Sequence, residues 1–106
     1  MSTETPTVVW GGRSGQKYTY YVYEIGTNLK AAGGNYIFAK VVGGVWVPVY
    51  IGQTSDLSTR FDNHHKMPCI RRNGATHIHA HLNALERDRL AEEADLLAGR
   101  TTSCND

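Results

Sequence analysis

The chain of 106 residues has few cysteines and no long apolar run, and each shortage excludes a class of protein. Its two cysteines, Cys69 and Cys104, lie far apart without a Cys-x-x-Cys pair, so we expect reduced, inert thiols. No apolar run approaches the ~20 residues that a membrane span needs. The N-terminus lacks the basic start and apolar stretch of a signal peptide. We therefore expect a cytoplasmic protein that has no membrane partner.

The chain also has little net charge, because its 11 basic residues nearly balance its 10 acids. A net charge of +1 argues weakly against non-specific nucleic-acid binding, which depends on neutralising phosphates. The distribution is less even, since residues 57–82 are net basic and residues 83–106 are net acidic. This asymmetry suits a small basic face with an acidic back. A mixed, solvated surface explains the charges equally well.

The length and the spacing of apolar residues predict one small domain. Residues 1–16 are polar and Gly-rich, and we expect a loose N-terminal arm followed by a single domain over 17–106. Aromatic and β-branched runs with period-two alternation predict strands. The predicted strands cover residues 18–25, 35–42, 45–51 and 76–82.

Two of these strands form the clearest prediction, a hairpin joined by Gly43-Gly44. Alternation along the first strand places Tyr36, Phe38 and Lys40 on one face and Ile37 and Ala39 on the other. In the second strand, alternation separates the face of Val49 and Ile51 from the face of Trp46 and Tyr50. Pro48 lacks an amide donor, so we expect it on an edge strand or at a bulge.

Two helices complete the predicted fold. Thr54-Ser55-Asp56 supplies capping oxygens for a helix that carries Leu57, Arg60, Phe61 and His64 at helical spacing. Pro68 and Gly74 then predict a loop or a short irregular helix over 66–74. A capping-box-like start predicts a second helix over 84–98. Its expected inward residues are Leu85, Leu90, Ala94 and Leu97. The fold class is α/β (α+β), with a small three-stranded antiparallel sheet flanked by helices and an additional N-terminal strand.

Two tyrosine motifs on the hairpin carry the functional signal. Gly34-Asn35-Tyr36 opens the first strand and Tyr50-Ile51-Gly52 closes the second. Arg60 follows on the next predicted helix with His64 four residues later, Glu93 begins a Glu-x-x-Leu segment, and Asn105 lies near the end. Together these residues resemble the GIY-YIG nuclease family over residues 34–105. Asn35 stands where the family usually has isoleucine, and Thr102 stands where it often has proline.

This resemblance implies a divalent-metal-dependent DNA endonuclease that leaves a 5′-phosphate and a 3′-hydroxyl. In the family, the first tyrosine is proposed to take the proton from the attacking water, which gives Tyr36 that role and gives Tyr50 a supporting one. Arg60 would steady the phosphoryl charge by its two-pronged guanidinium. His64 would assist Tyr36 or contact the phosphate. The residues assigned to substrate binding are Gly52, Arg60, Lys66 and Asn105.

Glu93 is the single acid that the resemblance places in the site, and it would hold Mg²⁺ or Mn²⁺. Each of these residues also has an ordinary structural explanation, such as half-buried strand tyrosines or a surface arginine. The chief alternative is therefore a catalytically silent nucleic-acid-binding module with the same fold.

Three histidines at period-two spacing, His77, His79 and His81, point to a further alternative. On a strand they share one face, and two of them could hold zinc in a metal-binding or protein-interaction domain. No cysteine or acid nearby completes such a set. We expect an exposed face that at most lies near DNA.

Overall fold

The computed structural model describes residues 5–59 and 61–105, apart from the side chain of Asp62. Its elements, in chain order, are β1 (Thr7–Gly11), β2 (Lys17–Glu24), β3 (Gly34–Val42), β4 (Val45–Thr54), a 3₁₀ turn (Phe61–Asn63), α1 (Met67–Arg72), β5 (His77–Leu82) and α2 (Glu86–Gly99). The strands form one antiparallel sheet in the order β1-β2-β5-β3-β4. The expected mixture of helix and antiparallel sheet is confirmed, but the sheet has five strands rather than three with one added.

The additional strand comes from the segment that we expected to be a loose arm. Residues 7–11 form β1 and pair with β2, so the arm predicted over 1–16 is wrong for this part. Trp10 explains why the segment is held: its ring is buried, and its indole N–H donates to His79 Nδ1 at 3.0 Å. Two β-branched residues, Val8 and Val9, favour a strand here, and the bond from Trp10 to the distant His79 holds it in the sheet.

The predicted hairpin between β3 and β4 is present. Gly43 and Gly44 join the strands with φ angles of 58° and 79°, which only glycine adopts at low cost. Tyr36 and Phe38 pack on one side of the sheet, and Ile37 packs on the other, as the alternation predicts.

A β-bulge interrupts β4 at Pro48. Phe38 lies opposite Tyr50 and Ala39 lies opposite Pro48, which leaves Val49 as an extra residue. Because β4 is also an edge strand of the sheet, Pro48 meets both conditions that its missing amide donor imposes. The prediction for Pro48 is therefore confirmed.

The extra residue reverses the alternation of side chains along β4. Val49 and Tyr50 both pack with Tyr36, whereas Ile51 and Trp46 pack on the opposite side. The predicted faces of this strand are therefore wrong beyond the bulge. The consequence matters for function, because it brings Tyr50 to the same side of the sheet as Tyr36.

The helix predicted after Thr54 does not form. The Asp56 carboxylate accepts hydrogen bonds from the backbone N–H and the hydroxyl of Ser58, and Thr54 Oγ1 accepts the N–H of Asp56. Such local bonds between side chains and backbone compete with helix formation. The chain instead makes a tight turn, with a 3₁₀ turn beginning at Phe61 and the short α1 inside the segment 66–74.

Helix α2 is present but turns a different side to the sheet than expected. Leu85 and Leu90 are 53% and 44% exposed, and Ala94 is also exposed. Of the residues expected to face inward, Leu97 alone is partly buried against the core. The buried residues of α2 are Arg89, Glu92 and Leu96.

Polar partners on the strands explain why charged residues of α2 are buried. Glu92 accepts a hydrogen bond from the Tyr20 hydroxyl, and its other oxygen lies 3.2 Å from His81 Nε2. Arg89 Nε donates to Gln53 Oε1 at 3.0 Å, and Arg89 Nη1 donates to two backbone carbonyls. Buried charges are tolerated when such partners replace water.

Each side of the sheet carries its own apolar cluster. The cluster under α1 and the 3₁₀ turn contains Tyr36, Phe38, Val49, Leu57, Met67, Ile70 and Ile78. The cluster under α2 contains Trp10, Tyr20, Ile37, Ala39, Ile51 and Leu96.

Cys69 of α1 and Cys104 near the C-terminus form a disulfide. The expectation of two reduced thiols is therefore wrong, since folding brings together cysteines that are 35 residues apart. Disulfides are rare in cytosolic proteins, and the cytoplasmic location stays a prediction.

The two α-helices have six and 14 residues. Neither of these, in the part of the chain that the structure describes, has the length and apolar character to cross a membrane.

Candidate active site

Tyr36 and Tyr50 lie side by side on the face of the sheet that carries α1. Tyr36 pairs with Gly52 across the hairpin and Tyr50 pairs with Phe38, so the two tyrosines are diagonal neighbours. Their ring centroids are 6.1 Å apart and the rings are nearly parallel, at 25°. The two tyrosine motifs therefore meet in space, as the sequence requires for a shared site.

Gly52 leaves the space that the two rings occupy. A Cβ at this position would lie 2.7 Å from the Tyr36 hydroxyl oxygen and 2.8 Å from Tyr50 Cε1. Real Cβ atoms do not approach other atoms so closely, so any side chain here would displace a phenol. These close approaches explain why position 52 is a glycine, independently of its predicted role in substrate binding.

His64 joins the pair from the segment between the 3₁₀ turn and α1. Its Nε2 lies 2.9 Å from the Tyr36 hydroxyl oxygen, and its ring centroid lies 4.8 Å from that of Tyr50. Its other nitrogen, Nδ1, accepts the backbone N–H of Lys66 at 3.0 Å. A neutral imidazole that accepts at Nδ1 carries its proton on Nε2. His64 therefore donates a hydrogen bond to Tyr36, and burial lowers its pKa, which keeps it neutral.

The surroundings raise the pKa of both phenols. For Tyr36 the main cause is burial, followed by Tyr50 and then by the charge of Glu93. For Tyr50 the causes are burial and then Glu93, while a hydrogen bond from the Tyr36 hydroxyl lowers its pKa. Of the two, Tyr50 is the more exposed, and its interaction with Tyr36 lowers its pKa, whereas the same interaction raises the pKa of Tyr36. Tyr50 is therefore the phenol that loses its proton more readily.

Glu93 of α2 lies close enough for its charge to raise the pKa of Tyr36 and Tyr50, and also that of Tyr20 on the other side of the sheet. The carboxyl is partly buried, and burial raises its own pKa. Within the described residues, no group of three or more His, Cys, Asp or Glu side chains could hold a metal ion. One carboxylate nevertheless fits Mg²⁺, which usually keeps several waters and takes substrate phosphate as a further ligand.

The other predicted site residues have different outcomes. Arg60 lies outside the described residues, so its predicted role stays a prediction. Lys66 contributes its backbone N–H to His64, at the start of α1. Asn105 makes two hydrogen bonds to the backbone of Ile51, and it therefore fixes the C-terminal tail beside β4.

A cavity of about 210 Å³ opens beside Tyr36. Gln53, Thr59 and Asn63 line it but were not predicted from the sequence. The position of Gln53, directly after Tyr50-Ile51-Gly52, was the available signal. Its side-chain oxygen accepts a bond from Arg89, which leaves the amide N–H groups of Gln53 as potential donors to a ligand. The cavity is lined by Tyr36, Gln53, Thr54, Thr59, Phe61, Asn63 and His64.

Asn35, the departure from the GIY-YIG pattern, is fully buried and has hydrogen-bond partners. Its Nδ2 donates to the Arg89 carbonyl at 2.9 Å, and its Oδ1 accepts from Asn83 Nδ2 at 3.1 Å. The amide thus ties β3 to α2, the helix that carries Glu93.

The three strand histidines do not form an exposed face, which corrects our expectation. His79 is fully buried and accepts from Trp10, while His81 pairs with Glu92. His77 is partly buried, and its ring contacts Trp46. All three face α2 and its apolar cluster, on the opposite side of the sheet from Tyr36 and Tyr50.

A comparison of this chain with protein-family models, with curated proteins and with solved structures gave no match.

Proposed function

We propose that this protein is a metal-dependent DNA endonuclease of the GIY-YIG type, which cleaves phosphodiester bonds to leave a 5′-phosphate and a 3′-hydroxyl. One observation carries the proposal. Tyr36, Tyr50 and His64 are in mutual contact, Tyr36 and His64 line one cavity, and the charge of Glu93 raises the pKa of both phenols. This is the set of groups that the two tyrosine motifs imply.

One hydrogen bond and the exposure of the two phenols suggest how the work is divided between the tyrosines. His64 donates to Tyr36, which is 4% exposed, whereas Tyr50 is only partly buried. We therefore assign the proton acceptor for the attacking water to Tyr50, in place of the role that the resemblance gives Tyr36. Tyr36 and His64 would stabilise the Tyr50 phenolate from behind, since hydrogen bonds to the charged form favour it.

Glu93 would hold Mg²⁺ or Mn²⁺, which supplies positive charge next to the phosphate when bound. Arg60, from its place in the sequence, would hold the phosphoryl oxygens by two parallel bonds. The amide of Gln53 faces the same cavity and would donate to a phosphate oxygen there.

Nicking of supercoiled plasmid DNA with Mg²⁺ or Mn²⁺ tests the proposal. We expect nicking to stop with EDTA, and we expect Glu93→Gln, Arg60→Ala and Tyr50→Phe each to slow it by at least roughly 100-fold, the usual size of acid–base and charge-stabilising contributions. Glu86→Gln, an exposed residue of the same helix, should leave the rate unchanged. Full activity of Glu93→Gln and Tyr50→Phe would reject the mechanism.

The second candidate, a nucleic-acid-binding module without turnover, is favoured by one observation. Burial raises the pKa of both Tyr36 and Tyr50, and a raised pKa lowers the fraction of phenolate that could take a proton from water. Binding to plasmid, flap and single-stranded DNA without cleavage under any of these metal conditions would select this candidate.

A further inference from the structure

A second cavity lies directly beside the tyrosine cavity and shares two of its walls. Its volume is about 200 Å³, and Thr59 and Phe61 line both spaces. The centroid of the shared Phe61 ring lies 4.8 Å from that of Tyr36. A group bound in the second cavity is therefore one side chain away from the phenols.

Apolar and polar residues line this cavity together. Leu57, Met67 and Ile78 are buried residues of its lining. Ile25 and Leu29, in the segment that follows β2, line it together with Phe61. The polar residues at the cavity are Thr27, Asn28, Ser58 and Thr59. Apolar side chains next to hydrogen-bonding groups suit a planar heterocycle that carries donors and acceptors on its rim.

The volume of the cavity and the lack of charge among the described residues that line it restrict the class of ligand. None of the residues that line this cavity, all within the described chain, has an ionisable side chain. A neutral ring needs no ionisable partner among these residues. Sites for drug-sized ligands run roughly 300–1,000 Å³, so a cavity of about 200 Å³ suits one ring system rather than a whole nucleotide.

We propose that this cavity binds one unpaired nucleobase of the DNA substrate, next to the phosphate that is cleaved. The inference rests on the proposed nuclease function and specifies its substrate class. A base inside a duplex is stacked on both faces, so only an unstacked base enters such a cavity. The substrate is therefore DNA with an unpaired nucleotide at the cleavage position, as in a bulge, a branch or a single strand.

Methyl NMR tests the binding directly and without cleavage. The methyl groups of Ile25, Leu29 and Met67 report on the cavity, and Val9, an exposed residue of β1, serves as a reference. Deoxycytidine and deoxyadenosine 5′-monophosphate are titrated, and 2-deoxyribose 5-phosphate is the ligand without a base. We expect saturable shifts at the cavity methyls with both nucleotides and none with the sugar phosphate. Equal shifts with the sugar phosphate, or none with any ligand, would overturn the proposal.

A matched pair of variants locates the binding. Asn28 is exposed at the rim, and Asn28→Trp places an indole over the opening. Thr101→Trp adds the same side chain at an exposed loop position. We expect Asn28→Trp to weaken nucleotide binding by roughly tenfold or more, the effect of losing one stacked base contact, and Thr101→Trp to have no effect. Equal affinity in both variants would place the base elsewhere and reject the cavity.

Cleavage assays separate this inference from the function on which it rests. Preferred cleavage at a single-nucleotide bulge over the paired duplex, lost in Asn28→Trp alone, supports both. If bulged and paired DNA are cleaved equally and the cavity methyls do not shift, the nuclease function stands and the base-binding cavity is rejected. If the cavity methyl groups shift with nucleotides but the protein cuts no DNA, the base-binding cavity stands and the nuclease function is rejected.

Discussion

Asn105 binds the backbone of Ile51 through both ends of its side-chain amide. The Ile51 N–H donates to Asn105 Oδ1 at 2.9 Å, and Asn105 Nδ2 donates to the Ile51 carbonyl at 2.7 Å. The neighbouring Cys104 N–H donates to the Val49 carbonyl at 3.0 Å. Because β4 is an edge strand, the tail satisfies backbone groups that no other strand reaches. The residues fixed in this way flank Tyr50.

Replacing Asn105 should therefore destabilise the fold and disturb the candidate site. Asn105→Ala removes two hydrogen bonds, each worth about 1 kcal/mol, so we expect the free energy of unfolding to fall by about 1–3 kcal/mol. Urea unfolding followed by circular dichroism measures the change. Thr101→Ala, an exposed position in the same tail, is the control and should stay at the wild-type value. Equal stability of the two variants would show that Asn105 does not hold the strand.

The disulfide should be a second, separable anchor of the tail. Joining Cys69 to Cys104 closes a loop of 35 residues in the unfolded chain, and such a bond typically contributes about 2–4 kcal/mol. We expect a Cys69→Ser/Cys104→Ser double variant to lose that amount in urea unfolding. A reducing agent should bring the wild type to the same midpoint and leave the double variant unchanged. A wild type that is insensitive to reduction, and that reacts with thiol reagents once unfolded, would contradict the bond.

Some of the site could be predicted because its determinants are local. Tyr36 and Tyr50 lie on strands joined by a two-glycine turn, which fixes their pairing within a short stretch of chain. The rule of alternation nevertheless grouped Tyr50 with Trp46, which lies on the other side of the sheet, because the rule does not allow for an inserted residue. The bulge at Val49 was indicated only by Pro48, whose missing amide predicts a bulge or an edge without stating the new phase.

Other features depend on contacts between distant parts of the sequence. Helical periodicity counts apolar residues, and it therefore directed Leu90 of α2 inward. The observed orientation follows from Glu92, whose partners Tyr20 and His81 lie on other strands. In the same way, Trp10 makes β1 a strand through a bond to His79, a residue 69 positions away. Polar pairs of this kind leave no periodic pattern in the sequence.

The bond between Trp10 and His79 should make stability depend on pH. Burial, with a smaller effect of His77, lowers the pKa of His79 from its ordinary 6.5 to about 4. Between these values the unfolded chain binds a proton that the folded chain does not, so stability falls as the pH drops from 6.5 towards 4. The difference corresponds to a loss of about 3 kcal/mol from this residue.

Urea unfolding across that pH range measures the effect. His79→Gln keeps an acceptor for the Trp10 indole and cannot titrate, so we expect a clearly flatter pH dependence in this variant. His65→Gln, an exposed histidine, is the matched control and should retain the wild-type slope. Parallel pH profiles for His79→Gln and the wild type would show that His79 is not buried in its neutral form.

A substitution at Gly52 should separate the effect of moving the two phenols from a general loss of stability. In Gly52→Ala the new methyl would meet the Tyr36 hydroxyl and the Tyr50 ring at less than 3 Å, so the phenols must separate. We expect a loss of about 1–3 kcal/mol in stability from overpacking, with the fold retained. The hydrogen bond from His64 to Tyr36 depends on the same positions, so the proposed nicking activity should fall far more than stability does. Gly11→Ala is the matched control, because its methyl meets only the Arg100 side chain, at an ordinary 3.8 Å. Wild-type stability and wild-type nicking in Gly52→Ala would mean that the two phenols do not share the space described, and the assignment of Tyr50 as proton acceptor would then have no basis.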